Sequence, residues 1–325
     1  MVLLVCHASP AVGLGHLSRM LALARAMRGT GIACCLLVCG EAPARKELEE
    51  FPHRFVAEES NLCLEILRAG AEAVVFDLHP KRIPNDLPPI LDELGYRGVR
   101  RIAVDGMLDQ TGRLDLVWIP SFHLPLDRRQ GLQAPIRYGW GCYLIRRHPS
   151  PPTWQPGRRV LVLTGGGDTA GLGLSLPRLL DSALPEDAEI CWVRGPFAGQ
   201  PEIPSTPRLG WAVEQAPEGL GDLLAESHYV LTVYGVSLFE SLQCGRPTVV
   251  FSPYGEKDNA ELAKLREEDV AAVAADAEAA VRELARLMGD HPRARHLATA
   301  ARNRMARDGA AALAAEIAAL LPAPA

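Results

Sequence analysis

The stretch that most constrains the fold is an apolar run, residues 2–6, followed by a glycine turn and an amphipathic helical pattern over residues 17–27. The turn reads Gly13-Leu14-Gly15-His16. Glycines let the backbone bend tightly, and the first-turn amides of a helix present unpaired N–H groups and a positive dipole end. This order predicts a strand, a turn and a helix at the edge of a sheet, with an anionic or hydroxyl-rich ligand above the turn.

His16 falls in the first turn of that helix, where the positive dipole end favours a neutral imidazole. A neutral histidine at pH 7 can accept a proton. The alternative is that the glycines serve only the turn and that His16 only caps the helix. Ser18 stands where the third glycine of the dinucleotide fingerprint would fall, so we do not expect NAD as the ligand.

Strand patterns alternate with helical patterns through the first half of the chain, which predicts parallel βαβ units. Further strands are expected at residues 32–38, 73–77, 101–104 and 116–119, and helices from about 43, over 62–69 and over 87–94. Polar residues stand at the carboxyl ends of these strands, where ligands bind in open parallel sheets. They are His7, Asp77, His79, Asp105 and Ser121. Helix capping and turn formation are the alternative roles for each of them.

A proline-rich stretch, residues 149–157, is too rich in proline to continue a helix or a central strand. We interpret it as a linker between a first domain, 1–148, and a second domain, 158–325. The second half repeats the earlier logic with a strand at 159–163, the turn Thr164-Gly165-Gly166-Gly167-Asp168 and a helix from about 172. Its remaining strands are expected at 189–193, about 208–211, 229–233 and 248–251, and its last helices at 277–288 and 293–321, with a break at Asp308-Gly309.

Composition excludes several classes of protein. The chain of 325 residues is longer than one hydrophobic core usually fills. Its composition, 48% hydrophobic and 6% aromatic residues, suits two layered α/β domains. The net charge of −5 argues against a nucleic-acid partner, and no apolar run reaches the roughly 18 residues of a membrane span. The eight cysteines include no CxxC pair and fit a reducing compartment. We therefore expect a cytoplasmic protein without structural zinc, and we take it to be a monomer, although composition does not decide the oligomeric state.

A set of motifs in a fixed order carries a family likeness. It comprises Gly13-Leu14-Gly15-His16-Leu17-Ser18-Arg19, then Asp77, Asp105 and Asp115, then the segment from Tyr138 to Arg146, then Gly165-Gly166-Gly167-Asp168, Ser237-Leu238-Phe239-Glu240 and Asp308-Gly309-Ala310. With them the chain resembles the glycosyltransferase B superfamily. Within it, the likeness is to UDP-diacetamido-trideoxy-altropyranose hydrolases of pseudaminic acid biosynthesis and their spore-coat polysaccharide relatives. The resemblance implies two Rossmann-like, doubly wound α/β domains that face a cleft.

The resemblance also implies roles for particular residues. His16 would be the general base that activates water at the anomeric carbon of a UDP-sugar, with UDP as the leaving group and no cofactor or metal. Glu240 would accept hydrogen bonds from the ribose hydroxyls, while helix-start amides at Gly235 and Val236 hold the diphosphate. The other substrate-binding residues expected are Gly13, Gly15, Arg19, Asp77, His79, Asp105, Tyr138, Gly165, Gly166, Gly167, Asp168, Ser237 and Asn259.

The chain departs from the family at several strand ends, among them Asp77-Leu78-His79 and Tyr234-Gly235-Val236. We therefore expect a changed sugar pocket. Three functions stay open at this point: a UDP-sugar hydrolase, an inverting glycosyltransferase that moves the sugar to an acceptor hydroxyl, and a sugar-nucleotide binding protein without turnover. The first two share one chemistry, since a base that deprotonates water can also deprotonate an acceptor hydroxyl.

Overall fold

The computed structural model describes residues 1–40, 46–125, 127–217 and 219–322. The chain forms two compact units, Met1–Ile145 together with Arg307–Ala325, and Arg146–Ala306. Each unit is built around one fully parallel β-sheet with helices on its faces. Because parallel strands need crossover connections, the alternation of apolar runs and helical patterns in the sequence already implies this class of fold.

The first unit contains a seven-stranded sheet in the order β3-β2-β1-β4-β5-β6-β7. Its elements are β1 (Val2–Ala8), α1 (Gly15–Gly29), β2 (Cys34–Gly40), β3 (His53–Val56), α2 (Leu62–Arg68), β4 (Ala73–Asp77), α3 (Leu87–Tyr96), β5 (Arg100–Val104), β6 (Leu116–Ile119) and β7 (Ile136–Tyr138). The strand order reverses direction between β1 and β4. The carboxyl ends of these two strands therefore form the switch point at which doubly wound sheets bind ligands.

The second unit contains a six-stranded sheet in the order β10-β9-β8-β11-β12-β13. Its elements are β8 (Arg159–Leu163), α4 (Leu176–Ala183), β9 (Glu189–Arg194), β10 (Gly210–Gln215), α5 (Gly221–Glu226), β11 (Tyr229–Val233), α6 (Val236–Gln243), β12 (Thr248–Phe251), α7 (Asn259–Glu268), β13 (Ala272–Val273), α8 (Ala277–Gly289) and α9 (His291–Arg304). The order reverses between β8 and β11. Two Rossmann-like doubly wound units are thus confirmed.

The boundaries of the units differ from those expected from the sequence. The last helix, α10 (Gly309–Leu320), belongs to the first unit, where it packs on α1, although the whole stretch 158–325 was assigned to the second. The proline-rich stretch belongs to the second unit, since Trp154 is buried there and its indole N–H donates to the carbonyl of His228 at 2.6 Å. The stretch forms neither helix nor strand, as its prolines predict, but it packs against the rest of the second unit.

The buried strands and the edge strand β10 were expected from the sequence, whereas the other three edge strands were not. Three strands at sheet edges contain no long apolar run from which they could be predicted: β3, β7 and the two-residue β13. The helix expected from about residue 43 begins in the stretch 41–45, which lies outside the described residues, and Lys46–Glu50 forms only a short 3-10 turn. Core packing explains the contrast, because central strands are apolar on both faces, as with Leu161 and Val162 of β8.

Candidate functional site

The first candidate site lies at the switch point of the first sheet. The chain leaves β1, turns through Gly13 with φ +79°, a conformation that favours glycine, and enters α1 at Gly15. His16 is the second residue of α1, and its Nδ1 lies 2.6 Å from Asp77 Oδ1 at the end of β4. Nothing lies within 4 Å of the place where a Cβ on Gly13 would be, so the turn leaves open space in front of the helix.

Arg19, one helical turn after His16, clamps the same carboxylate. Its Nε donates to Asp77 Oδ2 at 2.8 Å and its Nη2 donates to Asp77 Oδ1 at 2.7 Å. Burial alone would raise the pKa of Asp77, which is 0% exposed, but the charge and hydrogen bonds of Arg19 together with His16 lower it below its usual value. The buried group at this edge is therefore a carboxylate, held in place from two sides.

The tautomer of His16 follows from these distances. A separation of 2.6 Å between Nδ1 and a carboxylate oxygen requires a proton between them, which assigns the hydrogen to Nδ1. Arg19 Nη2, which donates to Asp77 Oδ1, also lies 3.0 Å from the same nitrogen, but a protonated Nδ1 has no lone pair to accept a hydrogen from it. When the ring is neutral, Nε2 then carries the lone pair and can accept a proton from a ligand.

Asp105 joins the cluster through Arg19, whose Nη1 lies 2.9 Å from Asp105 Oδ2. Asp105 has φ +61°, a left-handed conformation that Asp tolerates better than most residues. Burial lowers the pKa of Arg19, but Asp77 and Asp105 more than compensate and raise it above its ordinary value. Four of the residues expected at this site, His16, Arg19, Asp77 and Asp105, thus form one connected network.

Two further histidines stand beside the network. The ring of His79 lies 6.1 Å from that of His16, and its backbone N–H donates to His7 Nδ1 at 3.0 Å. His7, at the end of β1, is 2% exposed, and burial, followed by the neighbouring His16, lowers its pKa to about 4. His7 is therefore a neutral, buried support for the segment that carries His79.

Tyr138 does not join this cluster. It ends the edge strand β7, which lies three strands away from β4, or roughly 14 Å at the usual strand spacing. Its ring is 39% exposed and lies under the guanidinium of Arg129, 4.6 Å from it. Two aromatic side chains near the same end of the sheet, Phe122 and Trp140, stack with their ring centroids 4.5 Å apart.

Two motifs that contribute to the family likeness have structural roles here. Asp115 precedes β6, at the opposite end of the strands from His16, where its carboxylate accepts the backbone N–H of Arg101 at 2.8 Å. Asp308 caps α10 by accepting the N–H of Ala311 at 3.1 Å. A Cβ on the following Gly309 would lie 2.5 Å from the carbonyl oxygen of Tyr143, so this glycine permits close backbone packing.

The second candidate site lies at the switch point of the second sheet. After β8 the chain passes through Gly165, with φ +89°, and reaches Asp168, whose carboxylate accepts the backbone N–H groups of Leu172 at 2.9 Å and Gly173 at 2.7 Å. Asp168 therefore shapes the loop. Gly166 in the same loop accepts the N–H of Phe197 at 3.0 Å. Gly167 follows Gly166, so three of the four loop residues are glycines and the loop is mainly backbone at the carboxyl end of β8.

Across the switch point, α6 begins directly after the extended Gly235. Val236 and Ser237 form its first turn, where amides lack partners within the helix, and the half-buried Glu240 lies one turn later. The structure thus places Gly165–Asp168 and the start of α6 at the ends of the adjacent strands β8 and β11.

Asn259 is exposed at the start of α7, and the hydrogen-bonded polar residues near it were missed from the sequence. Ser252, just after β12, donates its hydroxyl to Asp258 Oδ2 at 2.5 Å. The hydroxyl of Tyr254 lies 3.2 Å from that of Thr169, which joins this loop to the loop after β8. The signal that could have found Ser252 is the one that found Asp77, a short polar residue at the end of an apolar strand.

Two observations bear on metals and membranes. Within the described ranges, no three His, Cys, Asp or Glu side chains form a group that could hold a metal ion. No helix in those ranges is both long and apolar enough to cross a membrane.

Comparison of the sequence with protein-family models and with curated proteins finds no match. Solved structures do match the fold. MurG of Acinetobacter baumannii is 14% identical, with a TM-score of 0.65, over 97% of this chain and 98% of that one. A glycosyltransferase of kitacinnamycin is also 14% identical, with a TM-score of 0.68 and 99% of both chains covered.

UGT2 of Phytolacca americana, solved with UDP-2-fluoro-glucose and pterostilbene, is 13% identical, with a TM-score of 0.64 over 98% of this chain and 99% of that one. At these identities the likeness concerns the fold. The two parallel α/β units of this chain therefore have the GT-B glycosyltransferase fold.

Proposed function

We propose that this protein is a nucleotide-sugar enzyme that cleaves the anomeric C–O bond of a UDP-sugar, with His16 as the general base. The observation that carries the proposal is the 2.6 Å contact between His16 Nδ1 and the fully buried Asp77. A histidine oriented by a buried carboxylate, with its second nitrogen free to accept a proton, has the arrangement that general base catalysis needs.

The chemistry follows from that tautomer. A water oxygen attacks the anomeric carbon while its proton passes to His16 Nε2, and the bond between that carbon and the diphosphate oxygen breaks. UDP leaves with the electron pair of the broken bond. Asp77 stabilises the imidazolium that forms, and Arg19 keeps the carboxylate ionised and in place.

We place UDP at the switch point of the second sheet. Backbone amides of the loop Gly165–Asp168 and of the first turn of α6, including Ser237, would receive the diphosphate, since helix starts and glycine loops favour anions. Glu240 would accept the ribose hydroxyls. In support, the structural neighbour UGT2 was solved with UDP-2-fluoro-glucose, and the spinosyn rhamnosyltransferase SpnG was solved with thymidine diphosphate.

A second candidate is transfer of the sugar to an acceptor hydroxyl instead of water. It is favoured by the stacked pair Phe122 and Trp140 and the partly exposed Tyr138, which line the same end of the first sheet as His16. Aromatic faces of this kind suit a carbon-rich acceptor. The catalytic base and the leaving group are the same in both candidates.

The test is a panel of UDP-sugars incubated with the purified protein, with release of UDP followed by chromatography. Release in buffer alone supports the hydrolase, and release that depends on an added sugar or aromatic alcohol supports the transferase. His16→Asn should lower either release by about 10²- to 10⁴-fold. Binding of every UDP-sugar without any release would overturn the enzyme proposal and leave a sugar-nucleotide binding protein.

A further inference from the structure

Arg194 and Thr164 lie side by side at the carboxyl ends of β9 and β8 in the second sheet, and each has a polar side-chain atom without a hydrogen-bond partner among the described residues. The last pair in register between β8 and β9 is Leu163 with Val193, so the next position pairs Thr164 with Arg194 on one face of the sheet. Thr164 is 2% exposed, and in the described part of the chain neither its Oγ1 nor the buried Nε of Arg194 has a hydrogen-bond partner. Neither residue was singled out by sequence reasoning as a ligand-binding residue.

Such groups are costly to leave unpaired in the interior of a protein. The rest of the Arg194 guanidinium likewise makes no hydrogen bond or ion pair with any described residue, although the side chain is only half-buried. Its backbone is fixed, because its carbonyl accepts the N–H of Ala216 at 2.8 Å. A cation at a fixed strand end, with no carboxylate partner among the described residues, is suited to bind an anion from outside the chain.

The backbone after Arg194 and after Thr164 is glycine in both strands, closely packed at Gly195 and open at Gly165. Gly195 follows Arg194 and lies against Gly166, so that a Cβ on Gly195 would come within 2.4 Å of the Gly166 carbonyl oxygen. Gly165, which follows Thr164, has φ +89° and no atom within 4 Å of its missing Cβ. At Gly165 the loop therefore offers bare, open backbone beside Thr164, which is the kind of surface that a phosphate group can approach closely.

We infer that Arg194, with the hydroxyl of Thr164, binds a phosphate of the nucleotide diphosphate. The inference rests on the proposed function, and it adds a positively charged side chain to a site that the sequence analysis built from backbone amides and Glu240. Guanidinium and hydroxyl both donate, and a phosphate oxygen can accept from the two at once.

The test is calorimetry of the full-length protein with UDP, uridine and inorganic diphosphate. Arg194→Gln should raise the Kd for UDP about ten- to a hundredfold, as expected for the loss of charge-assisted hydrogen bonds, and should leave the Kd for uridine within about twofold. Arg158→Gln removes the same charge at the opposite end of β8, where Arg158 pairs with Asp187 at the surface, and should leave both affinities unchanged.

Thr164→Val supplies a second readout that does not depend on Arg194. It removes an unsatisfied buried hydroxyl at nearly constant volume, so the melting temperature should stay the same or rise while the affinity for UDP falls severalfold. An unchanged UDP affinity in both variants would overturn the inference, as would a loss of uridine affinity in Arg194→Gln equal to the loss of UDP affinity.

The inference and the proposed function fail in different ways. If the wild-type protein binds inorganic diphosphate through Arg194 but neither binds UDP nor cleaves any UDP-sugar, the anion site stands and the proposed function falls. If the wild-type protein cleaves a UDP-sugar and Arg194→Gln binds UDP normally, the function stands and the site falls. Absence of binding to all three probes would overturn both.

Discussion

Arg19 grips Asp77 side-on, with Nε and Nη2 donating to different oxygens of one carboxylate at 2.8 and 2.7 Å. One of those oxygens, Oδ1, is also the acceptor for His16. Arg19 and His16 lie on the same helix, α1, and both contact the carboxylate of Asp77 at the end of β4. Arg19 thus fixes the carboxylate that orients the ring of His16. Because Asp77 is fully buried, loss of Arg19 would leave its negative charge uncompensated inside the first unit.

His16→Asn should lower turnover by about 10²- to 10⁴-fold, the usual contribution of a general base, with little change in the Kd for UDP. The measurement is single-turnover rate and UDP calorimetry on the same variant. His53→Asn, which alters a half-buried histidine on β3, is the matched control and should retain full turnover. A destabilised but fully active His16→Asn protein would show that His16 only caps α1.

Asp77→Asn should reduce the free energy of unfolding by about 3–5 kcal/mol, because it leaves the buried Arg19 with only the partly exposed Asp105 as an ionic partner. Turnover should fall as well, since the ring of His16 loses the carboxylate that orients it. Urea denaturation gives the stability. Asp92→Asn, which breaks the exposed pair with Arg113, should cost less than about 1 kcal/mol. Equal losses in the two variants would contradict the structure.

His7 should make stability depend on pH between about 4 and 6.5. Its pKa is lowered to about 4 in the folded protein, first by burial and then by His16, so between these values the unfolded chain binds more protons than the folded one. The contribution of His7 to the free energy of unfolding should therefore be fully present above pH 6.5, and the free energy should fall by about 3 kcal/mol as the pH drops to 4. Denaturation curves across this range test it.

His7→Gln keeps an acceptor for the N–H of His79 and should flatten that pH dependence. Asp77 makes a second contribution to the pH dependence of stability, with the same sign but at lower pH. The lowered pKa of Asp77 adds stability that is present above the ordinary Asp pKa of about 3.9 and is lost as the pH falls through the folded value. A slope between pH 6.5 and 4 that persists unchanged in His7→Gln would assign it to other groups.

Glu240→Ala should weaken UDP binding by roughly 1–3 kcal/mol if its carboxylate holds the ribose hydroxyls. Calorimetry with UDP gives the change, and circular dichroism verifies that α6 is intact. Glu278→Ala, an exposed acid in the first turn of α8, should bind UDP like the wild type. Unchanged UDP affinity in a folded Glu240→Ala protein would remove Glu240 from the proposed site.

Gly309→Ala should destabilise the protein by about 1–3 kcal/mol, because the new Cβ would lie 2.5 Å from the carbonyl oxygen of Tyr143 and backbone must move to admit it. Gly289→Ala is the matched control at the end of α8, where no atom lies within 4 Å, and it should be neutral or slightly stabilising. Thermal unfolding of both variants is sufficient. Equal melting temperatures would contradict the packing of α10 on the first unit.

The sequence alone determined the alternation of strands and helices, both glycine turns and the place of His16 in the first turn of a helix, because these are local properties. An apolar run bounded by glycine reads as a buried strand wherever it occurs, and a histidine just after Gly15 falls in the first turn of the helix. Asp77 was found as a strand end for the same reason, as was Asp105.

Tertiary structure decided which of these residues act together. His16 and Asp77 are 61 positions apart, and only the placement of β4 beside β1 brings their side chains to 2.6 Å. The same holds for Arg194 and Thr164, which meet only because β9 pairs with β8. It also holds for α10, whose alanine-rich surface gave no indication of the unit on which it packs. Local patterns specify elements, whereas the partner of a charged or apolar side chain depends on distances between elements that are remote in the chain.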